Sequence, residues 1–203
     1  MSINIVNGNI FDTHCNIICH QVNCQGVMGH GIAKQVKEKY KGVFNEYKRY
    51  CDAHADNREA MLGEALIVDV DYGAAVLDWL VDKERKYIAN IFGQLTYGTG
   101  LRTDYKALVL GLEVVANFAK EHNLSVAIPY KIGCGLAGGD WNKVNILIEG
   151  VFAGTGLEVL MYRYEQNESY ENYEKTRSEH LQELARLSQE FGLLDIENPE
   201  SQL

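Results

Sequence analysis

Two glycine-rich stretches hold the residue types from which an anion site can be made. The first is Gln21-Val22-Asn23-Cys24-Gln25-Gly26-Val27-Met28-Gly29-His30-Gly31-Ile32-Ala33. The second is Pro129-Tyr130-Lys131-Ile132-Gly133-Cys134-Gly135-Leu136-Ala137-Gly138-Gly139-Asp140-Trp141. Glycine lets backbone amides approach a ligand closely and takes up positive φ without steric cost. A helix following such a loop adds unpaired N–H groups and the positive end of its dipole. Each stretch therefore suits a phosphate. Two of them in one sheet suit a diphosphate held at the C-terminal ends of the strands. One cluster alone would be an ordinary tight turn, but both occupy the same strand-to-helix position, which favours the ligand reading.

Several side chains near these loops have usable chemistry. His20 belongs to the class that titrates near neutral pH and serves as general acid or base, and His30, on the first glycine stretch, is a second candidate. His20 shares strand parity with Ile18 and Val22, so a hydrogen-bonded core histidine is the competing reading. Asp140 can orient a water, but helix capping explains it more simply. Cys134 offers either a thiolate or, more simply, its backbone amide. Arg102, in the loop Tyr97-Gly98-Thr99-Gly100-Leu101-Arg102, suits either pairing with a terminal phosphate or a plain solvent-exposed position. His14, Cys15, Cys19, His20 and Cys24 look like metal ligands at first. A strand rising about 3.3 Å per residue holds His14 and His20 too far apart for one zinc, which needs ligands near ~2 Å. Buried structural cysteines are the simpler reading, and no metal site is expected.

Gly133, Gly135 and Gly138 spell GxGxxG, the fingerprint of a nicotinamide site. That fingerprint normally opens the first βαβ unit. Here a single strand follows it, ending Met161-Tyr162-Arg163 without the acidic residue that would hold a ribose. A Walker loop is excluded because no Gly-Lys-Ser/Thr occurs.

The positioning elements follow from periodicity. Continuous apolar runs predict strands at Ile3–Val6, Asn16–Val22, Ala65–Val70, Tyr87–Phe92, Ser125–Tyr130 and Leu157–Tyr162. Spacings of three and four predict helices over Ile32–Tyr50, Asp104–His122 and Trp141–Phe152. Thr103 or Asp104 can cap the second of these, and Asp140 the third. Tyr72–Lys86 fits an extra strand or a short helix equally well. Strands that are apolar throughout suit a sheet covered on both faces, so a three-layer α/β domain is expected. Ser169–Phe191 reads as a helix with Leu181, Leu184, Leu187 and Phe191 on one face. It suits an appendage docked on its own domain, with a homodimer contact as the second reading.

Composition narrows the classes further. The chain has 203 residues, 46% of them hydrophobic, and a formal net charge of −9. Residues 165–203 hold ten acidic and three basic side chains, so the tail supplies most of that charge. General nucleic-acid binding is disfavoured. No apolar run reaches the ~18–20 residues of a membrane span, and the first residues do not read as a signal peptide. Five cysteines without a CxxC pair suit a reduced, cytoplasmic protein.

Four motifs in order carry a resemblance. They are Gly8-Asn9-Ile10; Val22-Asn23-Cys24 with Gly29-His30-Gly31-Ile32-Ala33; Ile128-Pro129 with Ile132-Gly133-Cys134-Gly135-Leu136; and Val159-Leu160-Met161-Tyr162. Over Ile3 to about Arg163 the chain resembles a macrodomain, the ADP-ribose-binding module. The resemblance implies a three-layer α/β/α fold with a mixed central sheet over residues 1–164, and the charge and periodicity of 165–203 add an acidic C-terminal helical extension that the resemblance does not cover. It implies ADP-ribose or a derivative as partner, and no cofactor. Asn9 and Ile10 would meet the adenine, with Asn9 where the family usually has aspartate. Asn23, Gly29 and Gly31 would surround the distal ribose. Ile132, Gly133, Cys134, Gly135 and Leu136 would line the diphosphate, and Tyr162 would stack on adenine.

Two branches of the family are closest. One removes ADP-ribose from glutamate with a lysine and an aspartate, and those positions here hold Gln94 (or Gly93) and Ala137. The other removes phosphate from ADP-ribose 1″-phosphate, and Gly8-Asn9-Ile10 with His20–Asn23-Cys24 resembles its pattern. The expectation is thus hydrolysis of an ADP-ribose derivative, with His20, His30 and Asp140 as catalytic candidates. A non-catalytic ADP-ribose reader is the alternative, and an NAD-dependent oxidoreductase a distant third.

Overall fold

Among the described residues, six strands and four helices follow one another. They are β1 (Asn4–Asn7), β2 (Ile17–Asn23), α1 (Gly31–Lys39), α2 (Lys41–Ala53), β3 (Ala65–Asp69), β4 (Tyr87–Gln94), α3 (Tyr105–His122), β5 (Val126–Pro129), α4 (Trp141–Phe152) and β6 (Val159–Arg163). The computed structural model describes residues 3–70 and 85–164. The tail helix expected at Ser169–Phe191, and nearly all of the ambiguous stretch at 72–86, lie outside the described residues.

The strands form one sheet in the order β1-β6-β5-β2-β4-β3. Five are parallel, and β3 runs antiparallel to β4. This is the mixed sheet and three-layer α/β/α arrangement that the sequence predicts. Period-two alternation divides each strand between two cores. Ile17, Cys19, Ala89, Ile91, Val126, Ile128 and Met161 face α3 and α4. Ile18, Val22, Ile88, Phe92 and Ala127 face α1 and α2. Both faces are covered, which is why β2 and β4 read as unbroken apolar runs.

One predicted element is divided. The helix expected over Ile32–Tyr50 is two helices joined at Tyr40, whose φ of −126° and ψ of 72° are not helical. Val36, Val43, Tyr47 and Cys51 nevertheless keep one buried stripe across the joint. Periodicity cannot see a break that preserves phase. The local sign is weaker: Gly42 lies just past the joint, and glycine costs a helix about 1 kcal/mol relative to alanine. Tyr40 packs against Phe11 at 6.2 Å between centroids, which holds the joint against the Ile10–Asp12 turn. Asp104, not Thr103, caps α3, its Oδ1 accepting from the Ala107 amide at 2.9 Å. No helix among the described residues is long and apolar enough to cross a membrane.

Candidate functional site

The strand order locates a site before any side chain is considered. From β2 the chain runs through α1 and α2 towards β3 and β4 on one side. From β5 it runs through α4 to β6 on the other side. Strands β2 and β5 are parallel neighbours, so their C-terminal loops leave the same edge and part to opposite faces. Such a switch point opens a crevice, and ligands of open α/β sheets bind there. The two glycine stretches are these two loops.

The 24–31 loop is organised by Asn23, which is only 7% exposed. Its Nδ2 donates to the Val27 carbonyl at 2.6 Å, and its Oδ1 accepts from the Gln25 amide at 2.9 Å. From α2, the buried Tyr47 hydroxyl donates to the Asn23 carbonyl at 2.6 Å. Arg58 Nη1 donates to the Cys24 carbonyl at 2.7 Å. Asn23, expected beside a ribose, therefore spends its side chain on shaping its own loop. Gly29, His30 and Gly31 are exposed at the rim. His30 is the N-cap residue of α1, but its imidazole makes no capping bond. The first-turn amides of α1 have no helical acceptors.

The 131–139 loop is a run of turns. Lys131, Gly133 and Gly138 all have positive φ. Amides of Ile132, Cys134, Gly138 and Gly139 donate to Pro129, Lys131, Gly135 and Gly133 carbonyls, respectively. The amides of Gly133, Gly135 and Leu136 stay outside these turns, on a loop whose Gly135 and Leu136 are exposed. Three of the expected anion donors thus remain available. The Cys134 amide does not, because it is committed to Lys131 at 2.9 Å. Burial pushes the Cys134 thiol up to about 11, against the pull of Lys131, so it is no thiolate at neutral pH. Ile132 is buried and anchors the loop in the α4-side core.

At the other end of the crevice, Asn9 Oδ1 accepts from the Phe11 amide at 3.0 Å and caps the Ile10–Asp12 turn. An amide oxygen has two lone pairs, so one acceptor site remains. Ile10 is buried beneath it. Tyr162 is half-buried and packs on the core that also holds Val6, Ile32 and Ala33. The Gly8 amide donates to the Arg163 carbonyl at 2.9 Å, so this turn and the end of β6 are joined.

Of the three catalytic candidates, one lies away from the crevice loops and one is engaged as a helix cap at the end of the 131–139 loop. His20 lies three residues before the end of β2, about 10 Å short of it by strand rise, and is 1% exposed. Its Nε2 donates to Asn90 Oδ1 at 2.8 Å, and Asn90 Nδ2 donates onward to the Leu66 carbonyl at 3.0 Å. Burial lowers its pKa to about 4, against the opposing effect of the Asn90 bond. A buried neutral imidazole cannot exchange protons with a substrate at the rim. Strand parity with Ile18 and Val22 is the physical reason: it turns His20 into the core. Asp140 caps α4, with Oδ1 accepting from Asn142 at 2.9 Å and its own amide donating to the Tyr105 hydroxyl at 2.9 Å. His30 stands exposed on the 24–31 loop, its imidazole making no capping bond, whereas Asp140 ends the 131–139 loop with its side chain engaged in capping.

Other side chains are fixed as well. Arg102 Nε donates to the Thr99 carbonyl, while its guanidinium remains exposed. Gln94 and Ala137 supply neither amine nor carboxylate, and the Ala137 carbonyl accepts from the Arg102 and Thr103 amides. Cys15, Cys19, Cys24 and Cys51 are buried free thiols, and burial pushes Cys24 up to about 12. Among the described residues no three His, Cys, Asp or Glu side chains converge as metal ligands would. A cavity of about 310 Å³ lies at the opposite end of the sheet, where β1 and β6 begin. Its lining is mainly apolar, and Glu158 there is bonded to His14 at 3.1 Å, so the crevice is the better candidate. Tyr47 and Thr103, which hold the loops, left no chemical signature in the sequence: Tyr47 lies in an apolar helical stripe and Thr103 looks like a cap.

Comparison with known proteins gives the following. The Macro domain family model matches residues 19–148. A DNA ADP-ribosyl glycohydrolase of Mycobacterium tuberculosis is 29% identical over 146 residues, covering 71% of this chain and 37% of that protein. An ADP-ribose 1″-phosphate phosphatase of Debaryomyces hansenii is 33% identical over 73 residues, covering 32% of this chain and 40% of that one. The chain spans under half the length of these curated relatives. Among solved structures, the macrodomain of Mycobacterium tuberculosis DarG superposes with a TM-score of 0.64 at 25% identity, covering 79% of this chain and 96% of that one.

Proposed function

We propose that this chain, which belongs to the macrodomain family, binds ADP-ribose in the crevice between β2 and β5 and hydrolyses an ADP-ribose derivative. The observation that carries this reading is the switch point with two glycine loops on one edge. The diphosphate sits against the amides of Gly133, Gly135 and Leu136 and the first turn of α1, where fixed N–H groups and the helix dipole favour an anion. The adenosine end lies towards Asn9, Ile10 and Tyr162, and the distal ribose towards Gly29, His30 and Gly31.

The relatives named for ADP-ribose 1″-phosphate and for ADP-ribosylated DNA support a hydrolytic reaction at that ribose. For the phosphate ester, a water oxygen attacks phosphorus and gives up a proton as the bond from phosphorus to the ribose oxygen breaks, and the leaving ribose oxygen takes up a proton, giving inorganic phosphate and ADP-ribose. His30 is the acid/base group here, because His20 and Asp140 are otherwise committed. The second reading is a reader that binds without chemistry. It is favoured by the amide at Gln94 and the methyl at Ala137, where a lysine and an aspartate would act.

The test is calorimetric titration with ADP-ribose, AMP and NAD, followed by phosphate release from ADP-ribose 1″-phosphate. ADP-ribose is expected to bind more tightly than AMP or NAD. His30→Ala is expected to lower phosphate release by about 10²–10⁴-fold, the usual worth of a general acid. Tight binding without release from any derivative would leave the reader, and absence of ADP-ribose binding would end both readings.

A further inference from the structure

We propose that Gln21 and Thr103 are positioning residues that fasten the 131–139 loop to the 96–102 loop, so that an anion seated on one is felt by the other. The identity of that anion rests on the ADP-ribose reading, whereas the fastening does not. The two loops are joined by a directed chain of side chains beneath them. Thr103 Oγ1 donates to the Gly133 carbonyl at 2.6 Å. It accepts from Gln21 Nε2 at 3.0 Å, and the same amide group donates to Gln94 Oε1 at 2.8 Å. Gln94 Nε2 then donates to the Thr96 carbonyl at 2.9 Å. The chain thus runs from the first residue of one loop to the glycine that opens the other. Two backbone bonds close the circuit, since the Arg102 and Thr103 amides share the Ala137 carbonyl at 2.8 and 3.0 Å.

Packing leaves no slack in this arrangement. A Cβ at Gly133 would meet Gln21 Oε1 at 2.5 Å and Thr103 Oγ1 at 3.0 Å. A Cβ at Gly138 would meet the Gly100 carbonyl oxygen at 2.6 Å. Neither loop can shift without moving the other or opening a gap. Gln21 Oε1 is buried and has no hydrogen-bond partner among the described residues. A polar atom left so is costly, and an apolar side chain would avoid that cost. What the amide gains is the pair of bonds from Nε2. Above the fastening, Tyr97 and Leu101 are 59% and 64% exposed, so the 96–102 loop offers apolar side chains to whatever is attached to the bound anion.

The test is amide hydrogen exchange on the full chain, with and without ADP-ribose, for wild type, Thr103→Val, Thr103→Ser and Gln21→Met. Without ligand, Thr103→Val is expected to speed exchange in 96–103 and 131–139 together, by about 10-fold, with β2 and β5 unchanged. With ligand, its affinity should fall about 10-fold, and protection of 96–102 should vanish while that of 131–139 persists. Thr103→Ser keeps the hydroxyl and should behave as wild type, which a role in bulk packing would not require. Gln21→Met keeps the volume and should repeat the Thr103→Val pattern, deciding the matter if that variant does not fold. Loops that loosen independently, a valine variant that still transmits protection, or a serine variant that fails would each overturn the proposal. If wild type does not bind ADP-ribose, the proposed function fails, while exchange without ligand still decides the fastening.

Discussion

The 24–31 loop is held by side chains, whereas the 131–139 loop is held by its own backbone and by neighbours pressed against its glycines. In the first, Asn23 bonds across the turn to Val27 and Gln25, and Tyr47 and Arg58 reach in from α2 and the turn that follows it. In the second, four turn amides close on four carbonyls, and Thr103 supports Gly133 from below. The space around Gly31 and Gly133 differs accordingly, although Gly26 in the first loop lies close to Lys48 and Gly135 in the second is open. A Cβ at Gly31 would meet nothing within 4 Å, but one at Gly133 would enter the van der Waals shell of Gln21 and Thr103. A loop shaped by side chains can keep its glycines for conformation and ligand access. The loop shaped by packing needs Gly133, Gly138 and Gly139 for room.

Paired alanine substitutions would break this contrast most directly. Gly31→Ala meets only the cost of a left-handed backbone at φ +56°, about 1–2 kcal/mol. Gly133→Ala adds a collision to the same backbone cost at φ +73°, and about 3 kcal/mol or more is expected in total. ADP-ribose affinity should fall by about 100-fold or more in Gly133→Ala, equivalent to ~2.7 kcal/mol, and much less in Gly31→Ala. Chemical denaturation and calorimetry read both quantities. Equal losses in the two variants would show that the loops are held alike.

The contrast continues below the loops, in the two cores. The core facing α1 and α2 differs from the one facing α3 and α4 in being crossed by the buried His20–Asn90 pair. Burial lowers the His20 pKa from the ordinary 6.5 to about 4. Above pH 6.5 the imidazole is neutral whether the chain is folded or not. Between pH 6.5 and 4 the unfolded chain binds a proton that the native chain refuses. Stability therefore falls as pH drops through that window and levels off below it, by about 3 kcal/mol in all. His20→Gln should remove this component, so the difference between variant and wild type across pH 6.5–4 isolates it from the carboxylates. A pH-independent difference would refute the assignment. Phosphate release per folded molecule should be unchanged by the substitution, which separates a core histidine from an acid/base one.

The legible parts of the molecule are those whose signal is local. Continuous apolar runs marked the strands because the sheet is covered on both faces, and the glycines marked both loops because positive φ has a chemical signature. The joint at Tyr40 was hidden because the buried stripe crosses it in phase. Thr103 was hidden differently: the sequence offered it as a helix cap, and only the fold shows that Asp104 takes that role and leaves Thr103 for Gly133. Gln21 gave no signal, since its partners lie 73 and 82 residues away. His20 is a catalytic candidate in the sequence with a core histidine as the competing reading, and its parity with Ile18 and Val22 points to the core that it occupies. Contacts that depend on two distant strands being neighbours are not written in any one stretch of sequence.

Asp140 gives the smallest effect and the sharpest distinction. Its carboxylate caps α4 by accepting from Asn142, at the point where the 131–139 loop becomes a helix. Alanine removes that acceptor and should cost about 1 kcal/mol, whereas asparagine caps nearly as well and should cost only a few tenths. The pair separates two roles that one substitution would merge. An aspartate that orients or deprotonates a water cannot be replaced by an amide, and its loss would slow turnover by about 10²-fold or more. An aspartate that only ends the loop and starts the helix can be so replaced. Asp140→Asn is therefore expected to match wild type in both stability and phosphate release, with Asp140→Ala slightly less stable. A silent alanine and an inactive asparagine variant would reverse the assignment and return Asp140 to the chemistry of the crevice.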